Sequence, residues 1–539
     1  MTSLEPDIDV AIVGAGFSGL YMLHRLRGRG LRVRVFERGA DVGGTWYWNR
    51  YPGARCDIES VDYCYSFSPE LLAGWIWTER YATQPEILRY LQHVADRFGL
   101  RPDIQFGTRV TSLRYDAGGD RWMVSTQAGE VVSARYCVLA VGNLSSAKQP
   151  GFPGLESFRG EWYHTARWPA EGVDVRGERV GIVGTGSTAI QALPQIAKQA
   201  AGVRVFQRTA NYSMPARNRP LPPDELREVV QGFRARRRAA EQSDAGVPIA
   251  PPRRSALQVS PAERRRMYEA GWRRGGINAL SYAFTDFFTD ERANLTAQEF
   301  AREKVRQIVR DPAVAEALCP AHHIGTKRTC VDIGYFETYN HDHVELVDVR
   351  RSPITTVTPR GVATATAEYE LDVIVFAIGF DAITGALLEI DVRGRDGVPL
   401  ATKWEAGPRT YLGLCVAGFP NLFMITGPGS PSVLSNMVVS IEQHVDWITD
   451  CLDHLRSRGL DRIEASAEAE DEWVRHVGEL ADETLYPRAA SWYVGADIPG
   501  KPRVFMPYVG GCGTYRRECE QVAERGYEGF ILGAAGTRS

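Results

Sequence analysis

Two glycine-rich loops, each between a short apolar strand and a helix, constrain the fold of this 539-residue chain more than any other feature. The first is the hexapeptide GAGFSG at 14–19, which follows the β-branched run at 9–13. Helical periodicity comes next, then a second strand over 31–36, and then Glu37, 23 residues after the first glycine (37 − 14 = 23). This order of strand, GxGxxG loop, helix, strand and acid predicts a dinucleotide-binding βαβ unit.

Each residue type in that unit has a physical task in holding a dinucleotide. Gly14 permits the tight turn, Gly16 lets the backbone approach a pyrophosphate, and Gly19 lets the helix pack on its strand. The N-terminus of the helix attracts the negative charge of the phosphates. Glu37 is predicted to accept hydrogen bonds from a ribose diol.

A second copy of the same pattern lies in the middle of the chain. Its strand is 179–183, its loop is GTGSTA at 184–189, and its next strand is 203–208. The same count of 23 from the first glycine of the loop ends on Gln207 (184 + 23 = 207), and Arg208 follows. A carboxylate at this place would repel a 2′-phosphate, whereas a guanidinium can bind one bidentately. The second nucleotide is therefore predicted to be NADP.

Two dinucleotide folds in one chain imply electron transfer between two nucleotides, and a flavin with a nicotinamide is the usual pair. Disulfide reductases need a close redox-active cysteine pair beside the flavin. The nine cysteines here are scattered, and the nearest in sequence are Cys512 with Cys519 and Cys56 with Cys64. A flavin monooxygenase, which passes its electrons to dioxygen, is therefore favoured over a disulfide reductase.

Composition excludes several other classes of protein. The formal charge is 63 − 66 = −3, which favours neither nucleic acid nor an anionic membrane as a partner. No apolar run approaches the roughly 18–20 residues that span a bilayer. The cysteine pattern and the acidic N-terminus predict a reducing cytoplasm. The histidines form no metal-binding motif, and His322-His323 stands alone, so no metal is expected.

Two longer motifs point to one enzyme family. The stretch FRGEWYHTARWP at 158–169 matches FxGxxxHxxxWP, and GTWYWNRYPGARCD at 44–57 carries a second glycine–tryptophan–proline–aspartate signature. With GTKR at 325–328 and TGPGSP at 426–431, they resemble type I Baeyer–Villiger monooxygenases, most closely the steroid and phenylacetone branch. The resemblance runs from about residue 9 to about residue 530.

The resemblance implies an α/β fold with two Rossmann-like domains and a mostly helical insertion. The FAD domain would comprise residues 1–143 and 380–539. The NADP domain would comprise 144–219 and 323–379, and the insertion would be 220–322. Arginine clusters in that insertion are interpreted as a solvated helical face, because acids lie nearby.

The resemblance also assigns site residues. Arg328 would be the catalytic cation and Asp57 its partner. FAD would contact Gly14, Gly16, Phe17, Ser18, Gly19, Glu37, Gly44, Thr45, Trp46, Asp57, Tyr63, Val110 and Met437. NADP would contact Arg55, Gly184, Thr185, Gly186, Ser187, Gln207, Arg208, Thr209, Lys327 and Trp492, the last from a mobile loop. A bulky apolar ketone would contact Ser432, Val433, Leu434 and Met437, while His164 is given no role in proton transfer.

The implied reaction inserts one atom of O2 beside a ketone carbonyl and yields an ester or lactone. Its nucleophile would be a peroxide anion on the flavin, which a fixed cation such as Arg328 favours over the protonated form. Two alternatives stay open. One is a flavin oxygenase that makes sulfoxides or N-oxides, and the other is a non-catalytic flavin and NADP redox sensor. A monomer is plausible, and no partner beyond the small-molecule ketone and O2 is expected.

Overall fold

The structure, a computed structural model, describes residues 5–534, so the outermost ends of the predicted FAD domain lie outside the described residues. The first dinucleotide unit forms as predicted, with strand β1 over Ile8–Val13 and helix α1 beginning directly after the glycine loop. The elements of this part are β1 (Ile8–Val13), α1 (Phe17–Arg27), β2 (Val33–Phe36), α2 (Thr45–Trp48), α3 (Pro69–Gly74), α4 (Gln84–Arg97), β3 (Ile104–Gln105), β4 (Val110–Asp116), β5 (Arg121–Thr126) and β6 (Val131–Leu139).

The second dinucleotide unit also forms where the sequence predicts it. A helical segment interrupts it, and an all-parallel sheet resumes after that segment. The elements are β7 (Glu161–His164), β8 (Arg179–Val183), α5 (Ser187–Ile196), β9 (Gly202–Gln207), β10 (Ser213–Pro215), α6 (Pro223–Glu241), α7 (Pro261–Arg274), α8 (Glu291–Ile308), α9 (Pro312–Leu318), β11 (Cys330–Asp332), α10 (Tyr335–Thr338), β12 (Val344–Asp348), β13 (Ile354–Thr358), β14 (Gly361–Thr364), β15 (Glu368–Glu370) and β16 (Val373–Phe376).

The C-terminal part returns to the first sheet and adds the longest helix that the structure describes. Its elements are α11 (Gly385–Leu388), β17 (Asp391–Arg393), α12 (Leu400–Lys403), β18 (Leu422–Met424), α13 (Met437–Ser457), β19 (Arg462–Ala465), α14 (Ala467–Asp482), α15 (Cys512–Glu524) and β20 (Phe530–Gly533). Asn436 caps α13, because its side chain accepts a hydrogen bond from the backbone N–H of Val438.

Two sheets carry the two nucleotide units. The larger has the order β17-β4-β5-β6-β1-β2-β3, with β18 also paired to β6, and the smaller has the order β12-β9-β8-β16-β7. Val13 pairs with Phe36 in the first, and Val183 pairs with Phe206 in the second. Both glycine loops therefore leave the carboxyl ends of central parallel strands, where α/β sheets bind their ligands. The predicted α/β class with two Rossmann-like units and a helical insertion is confirmed.

Buried side chains explain why the strands and helices stay together. Residues 10–12 of β1 are fully buried between α1 and α13 on one face and a second apolar cluster around Trp122 on the other. Such two-sided burial is typical of a central parallel strand. Helix α6 of the insertion packs on the first unit through Arg236, which forms a bidentate ion pair with Asp62, with both contacts at 2.6 Å.

Candidate functional site

The outer glycines of the first loop are required by the protein itself. Gly14 has a φ of +105°, and a Cβ on it would lie 2.6 Å from the carbonyl oxygen of Ala140. A Cβ on Gly19 would lie 1.8 Å from the carbonyl oxygen of Gly14. Gly16 differs, because its nearest neighbour would be Gly44 Cα at 3.4 Å, an ordinary contact. The fold alone therefore does not demand glycine at position 16, whereas the close approach of a ligand would.

The second loop repeats this division of roles. Gly184 has a φ of +117°, and a Cβ on it would lie 2.4 Å from the carbonyl oxygen of Ala377. A Cβ on Gly186 would meet no atom of residues 5–534 within 4 Å. Thr185 donates a hydrogen bond of 2.7 Å to the carbonyl oxygen of Thr209, which ties the loop to the end of β9. The middle glycine of each loop thus leaves room that the protein does not fill.

A cavity of about 340 Å³ opens where the two units face each other. Its wall is formed by every residue predicted to bind FAD except Gly19, which packs beneath the loop. Three residues predicted to bind NADP also line the cavity, namely Arg55, Ser187 and Trp492. The predicted catalytic Arg328 and the predicted substrate residue Val433 line it as well. The structure therefore gathers most of the predicted site around one space.

Glu37 lies at the end of β2 as predicted and is only 4% exposed. Its carboxylate accepts hydrogen bonds from the backbone N–H of Ala15 at 2.7 Å and of Gly39 at 2.6 Å. Burial raises the pKa of Glu37, and the two backbone hydrogen bonds oppose that rise. Each carboxylate oxygen keeps acceptor capacity beyond these bonds, so a ribose diol can still be bound.

Arg328 and Asp57 form a bidentate ion pair in the cavity, although 271 residues separate them. Arg328 Nε lies 2.8 Å from Asp57 Oδ2, and Nη2 lies 2.9 Å from Oδ1. Arg328 Nη1 donates a hydrogen bond of 2.5 Å to the carbonyl oxygen of Val433. The two side chains are 25% and 17% exposed, respectively. The guanidinium is thus fixed on two sides, by the Asp57 carboxylate and by the Val433 carbonyl oxygen.

Arg328 keeps its positive charge in this environment. Burial acts to lower the pKa of Arg328, but the charge and hydrogen bonds of Asp57 raise it above its ordinary value. Tyr493 lies beside the guanidinium, and burial raises the pKa of Tyr493 to about 12 while the cation opposes that rise. Arg328 therefore stays positive at any physiological pH, and Tyr493 stays protonated.

Arg208 and Lys327 form a pair of neighbouring cations at the end of β9. Arg208 is exposed, and Lys327 is half-buried. Burial lowers the pKa of Lys327, the charge of Arg208 lowers it further, and Asp497 opposes the change. Within residues 5–534 neither cation has a carboxylate at ion-pairing distance. Two like charges held close without a counterion form a suitable site for an anion such as a phosphate.

Two other residues predicted for NADP already have protein partners. Gln207 is 4% exposed, and its amide donates a hydrogen bond of 2.7 Å to the carbonyl oxygen of Ala317. The Gln207 side chain is therefore buried against helix α9, while Arg208 is the exposed residue. Arg55 Nη1 lies 3.0 Å from Glu79 Oε2 and donates to the carbonyl oxygen of Tyr81 at 2.9 Å.

The predicted substrate residues lie on a short 3-10 turn, Ser432–Leu434, and at the start of α13. Val433 and Met437 contribute to the cavity wall. Ser432 is 1% exposed, and its hydroxyl accepts a hydrogen bond of 2.7 Å from the side-chain amide of Asn143. Ser432 and Leu434 do not contribute to the wall of this cavity in the structure. The turn thus presents apolar side chains, and Ser432 anchors it.

Trp492 contributes to the cavity wall from a loop that two ion pairs hold in place. Its ring packs on Tyr493 with the ring centroids 4.3 Å apart. Asp497 lies 2.6 Å from Lys148, and Lys501 lies 2.5 Å from Asp381. Lys148 and Asp381 belong to the two crossings between the nucleotide units, where Ala147 pairs with Phe380. The position of Trp492 is therefore coupled to the junction of the two units.

His164 ends the edge strand β7, and its Nδ1 accepts a hydrogen bond of 3.0 Å from the backbone N–H of Ala166. Burial lowers the pKa of His164, which keeps the ring neutral. This geometry is that of a structural cap. The described residues contain no group of three or more His, Cys, Asp or Glu side chains placed to hold a metal, and the nine cysteines are free. Within residues 5–534, no helix has both the length and the apolar character to cross a bilayer.

Tyr493 and Asn143 were not among the residues predicted from the sequence. Tyr493 directly follows Trp492, so its position in the same motif was the available signal. Asn143 ties Ser432 in place, but 289 residues separate the two, and no local pattern reveals such a contact.

Comparisons with known proteins agree with this geometry. The family described as pyridine nucleotide-disulphide oxidoreductase matches residues 11–244, which include both glycine loops. A Baeyer–Villiger monooxygenase of Pseudooceanicola batsensis is 43% identical over 528 residues, covering 97% of this chain and 96% of that protein. A phenazine N-monooxygenase of Lysobacter antibioticus is 41% identical, covering 97% of each chain.

The solved structures include a close match over nearly the full length. An oxidized steroid monooxygenase bound to NADP superposes with a TM-score of 0.94 at 54% identity, covering 98% of this chain and 100% of that one. Together with the shared motifs and the Arg328–Asp57 pair, these similarities show that the chain belongs to the type I Baeyer–Villiger monooxygenase family.

Proposed function

We propose that the protein is an FAD-containing monooxygenase that uses NADPH and O2 to convert a bulky, apolar ketone to an ester or lactone. The overall reaction consumes ketone, O2, NADPH and a proton, and it gives ester, NADP+ and water. The observation that carries the proposal is the half-buried guanidinium of Arg328, held by Asp57 in the space between two dinucleotide folds.

The residues around the main cavity fit FAD. Gly16 leaves room for a pyrophosphate above the N-terminus of α1, and Glu37 offers a carboxylate to the ribose. FAD, when bound and reduced by NADPH, supplies the activated dioxygen that the insertion needs. The second fold fits NADP, because Gly186 leaves equivalent room and Arg208 with Lys327 offers two cations to a 2′-phosphate.

Arg328 supplies the chemistry that distinguishes insertion into a ketone. Nucleophilic attack on a carbonyl needs an oxygen anion, and the attack creates a second oxygen anion from the carbonyl. A fixed cation stabilises both, and arginine does so without giving up its proton. Because Asp57 and Val433 fix the guanidinium before substrate binds, little reorganisation is needed at the moment of reaction.

Asp57 is proposed to position Arg328. Replacing Asp57 by asparagine removes the negative charge and one of the two acceptor oxygens, so Arg328 keeps at most a single neutral hydrogen bond at this position beside its bond to Val433. Hydrogen bonds to charged groups are worth about 1.5–3 kcal/mol, or roughly 10- to 150-fold. We expect ester formation per NADPH consumed to fall by about this factor, while FAD content stays normal. Asp57→Glu, which keeps the charge, is the control. An unchanged ratio of ester to NADPH in Asp57→Asn would contradict the assignment.

Arg208 is proposed to read the 2′-phosphate of NADPH. Arg208 is exposed and has no hydrogen-bond or ion-pair partner among residues 5–534, so Arg208→Ala should raise the Michaelis constant for NADPH by about 10-fold and leave NADH kinetics nearly unchanged. Steady-state kinetics with both coenzymes measure the effect. Equal losses for NADPH and NADH would show that Arg208 does not contact the phosphate.

A second candidate is oxidation of a heteroatom, which the similarity to a phenazine N-monooxygenase favours. That chemistry uses an electrophilic oxygen and gains nothing from a cation that favours the anion. A ketone and a sulfide offered together, with both products quantified, separate the two functions.

The division into an FAD domain of 1–143 and 380–539, an NADP domain of 144–219 and 323–379, and an insertion of 220–322 is proposed as well. The strands of the larger sheet fall in 8–139 and 391–424, and those of the smaller sheet fall in 161–207 and 344–376, which supports this division. We also propose a cytoplasmic location, since the nine free thiols suit a reducing compartment.

A further inference from the structure

A smaller cavity of about 270 Å³ lies apart from the main one. One wall is Arg208, at the end of β9. The opposite wall is the loop segment 495–501 together with Arg503. This loop is the one that carries Trp492 into the wall of the main cavity.

Arg503 is the cation of this loop that has no partner among the described residues. Lys501 is engaged with Asp381 at 2.5 Å and with the carbonyl oxygen of Ala382 at 3.1 Å. Arg503 is exposed, and in the described part of the chain it makes no ion pair or hydrogen bond. Arg208, across the cavity, is likewise exposed and makes no ion pair or hydrogen bond with the described residues. Two arginines on opposite walls of one cavity therefore both lack a counterion.

The remaining charged groups around the cavity do not neutralise the positive charge of the two arginines. Lys327 does not line this cavity, but it is close enough to Arg208 for the charge of Arg208 to lower its pKa. Asp497 is the carboxylate on the loop, but Lys148 neutralises it at 2.6 Å. The net field between the walls is therefore positive, and such a field selects an anion that can reach both walls.

We infer that Arg503 is a specificity residue for the 2′-phosphate of the coenzyme and that it acts from the loop. The phosphate is clamped between Arg208 and Lys327 on the nucleotide fold and Arg503 on the loop. This inference rests on the proposed binding of NADP at the second fold. Because Trp492 belongs to the same loop, the phosphate stabilises the position in which Trp492 contacts the main cavity. NADP+ should therefore hold the loop closed, and NAD+ should not.

Binding measurements on the FAD-loaded, oxidised protein test this clamp. Arg503→Ala should raise the dissociation constant of NADP+ by about 5- to 20-fold. This loss is smaller than the loss expected for a buried charged contact, because the Arg503 side chain is exposed. The dissociation constant of NAD+ should change by less than about twofold. Arg488→Ala is the matched control, since Arg488 lies on the same loop region but is paired with Glu291 at 2.9 Å.

Amide hydrogen exchange of residues 491–503 provides the second readout. NADP+ should protect this segment in the parent protein and in Arg488→Ala, whereas NAD+ should protect it much less. In Arg503→Ala, the protection by NADP+ should fall to the level given by NAD+. Equal protection by the two coenzymes in the parent protein would overturn the coupling of the phosphate to the loop.

The outcomes for Arg503 and Arg208 separate this inference from the proposed function. If Arg208→Ala loses its preference for NADP+ and Arg503→Ala keeps it, the second fold binds NADP but the clamp does not exist. If Arg503→Ala weakens both coenzymes equally, Arg503 does not contact the phosphate, and the inference is also overturned. If neither variant changes the preference, the assignment of NADP to the second fold fails as well.

Discussion

Replacing Arg328 by alanine is expected to leave a protein that still oxidises NADPH but forms no ester. Delivery of hydride needs the two nucleotides held close, which the glycine loops provide. Oxygen insertion needs a cation beside the oxygen anions, and that cation is Arg328. Losing one preorganised donor of this kind lowers the rate of the chemical step by about 10²–10³-fold, and losing a full charge in a shielded site lowers it further. Electrons from NADPH should then reach dioxygen and leave as hydrogen peroxide.

Two measurements separate the halves of this prediction. Stopped-flow reduction by NADPH without oxygen should remain close to normal in Arg328→Ala, and product analysis in air should show peroxide in place of ester. Arg328→Lys is the control that keeps a charge but loses the planar fork bound to Asp57 and Val433. It should retain at most a small fraction of ester formation. Near-normal ester formation by Arg328→Ala would remove Arg328 from the mechanism.

Gly16→Val is expected to abolish FAD binding without unfolding the protein. A Cβ at this position meets Gly44 Cα at 3.4 Å and Gly44 N at 3.7 Å, which are ordinary contacts, so the loop can keep its conformation. The added side chain instead points into the space that a pyrophosphate must enter. The purified variant should be colourless, and its visible flavin absorbance or the flavin released by acid extraction measures the loss. Blocking the approach of the pyrophosphate to the loop should weaken the binding of FAD by at least about 100-fold.

Gly186→Val is the matched control for Gly16→Val. It places the same side chain at the same position of the second loop, where a Cβ meets no atom of residues 5–534 within 4 Å. This variant should remain yellow and lose its affinity for NADP+, while Gly16→Val should show the reverse. A Gly16→Val protein that retains stoichiometric FAD would contradict the assignment of the first loop.

The two nucleotide folds could be predicted because their determinants are local. The strand at 9–13, the glycine loop and Glu37 lie within one short stretch, and the structure places β1 at Ile8–Val13 and β2 at Val33–Phe36. The edge strand β7 was not predicted. Its sequence, Glu-Trp-Tyr-His, lacks an apolar alternation, and it becomes a strand through pairing with β16, more than 200 residues away.

The pairing of Arg328 with Asp57 is not readable from periodicity or composition, because the fold alone brings the two residues together. The resemblance to a known family supplied it. The contacts that position the pair were missed for the same reason. Val433 accepts from Arg328 through its backbone carbonyl, which carries no sequence signal, and Tyr493 reaches the guanidinium from the loop of Trp492. Local patterns therefore identify the nucleotide loops, whereas the charged centre between them depends on long-range packing.

Insertion of oxygen into a ketone is tested most directly with labelled dioxygen. The purified protein is supplied with NADPH, ¹⁸O2, a panel of bulky apolar ketones and a competing aryl methyl sulfide, and the products are identified by mass spectrometry. We expect an ester or lactone that carries a single ¹⁸O atom, formed in amounts close to the NADPH consumed. Sulfoxide as the sole oxygenated product, or hydrogen peroxide with every ketone intact, would contradict the proposed function.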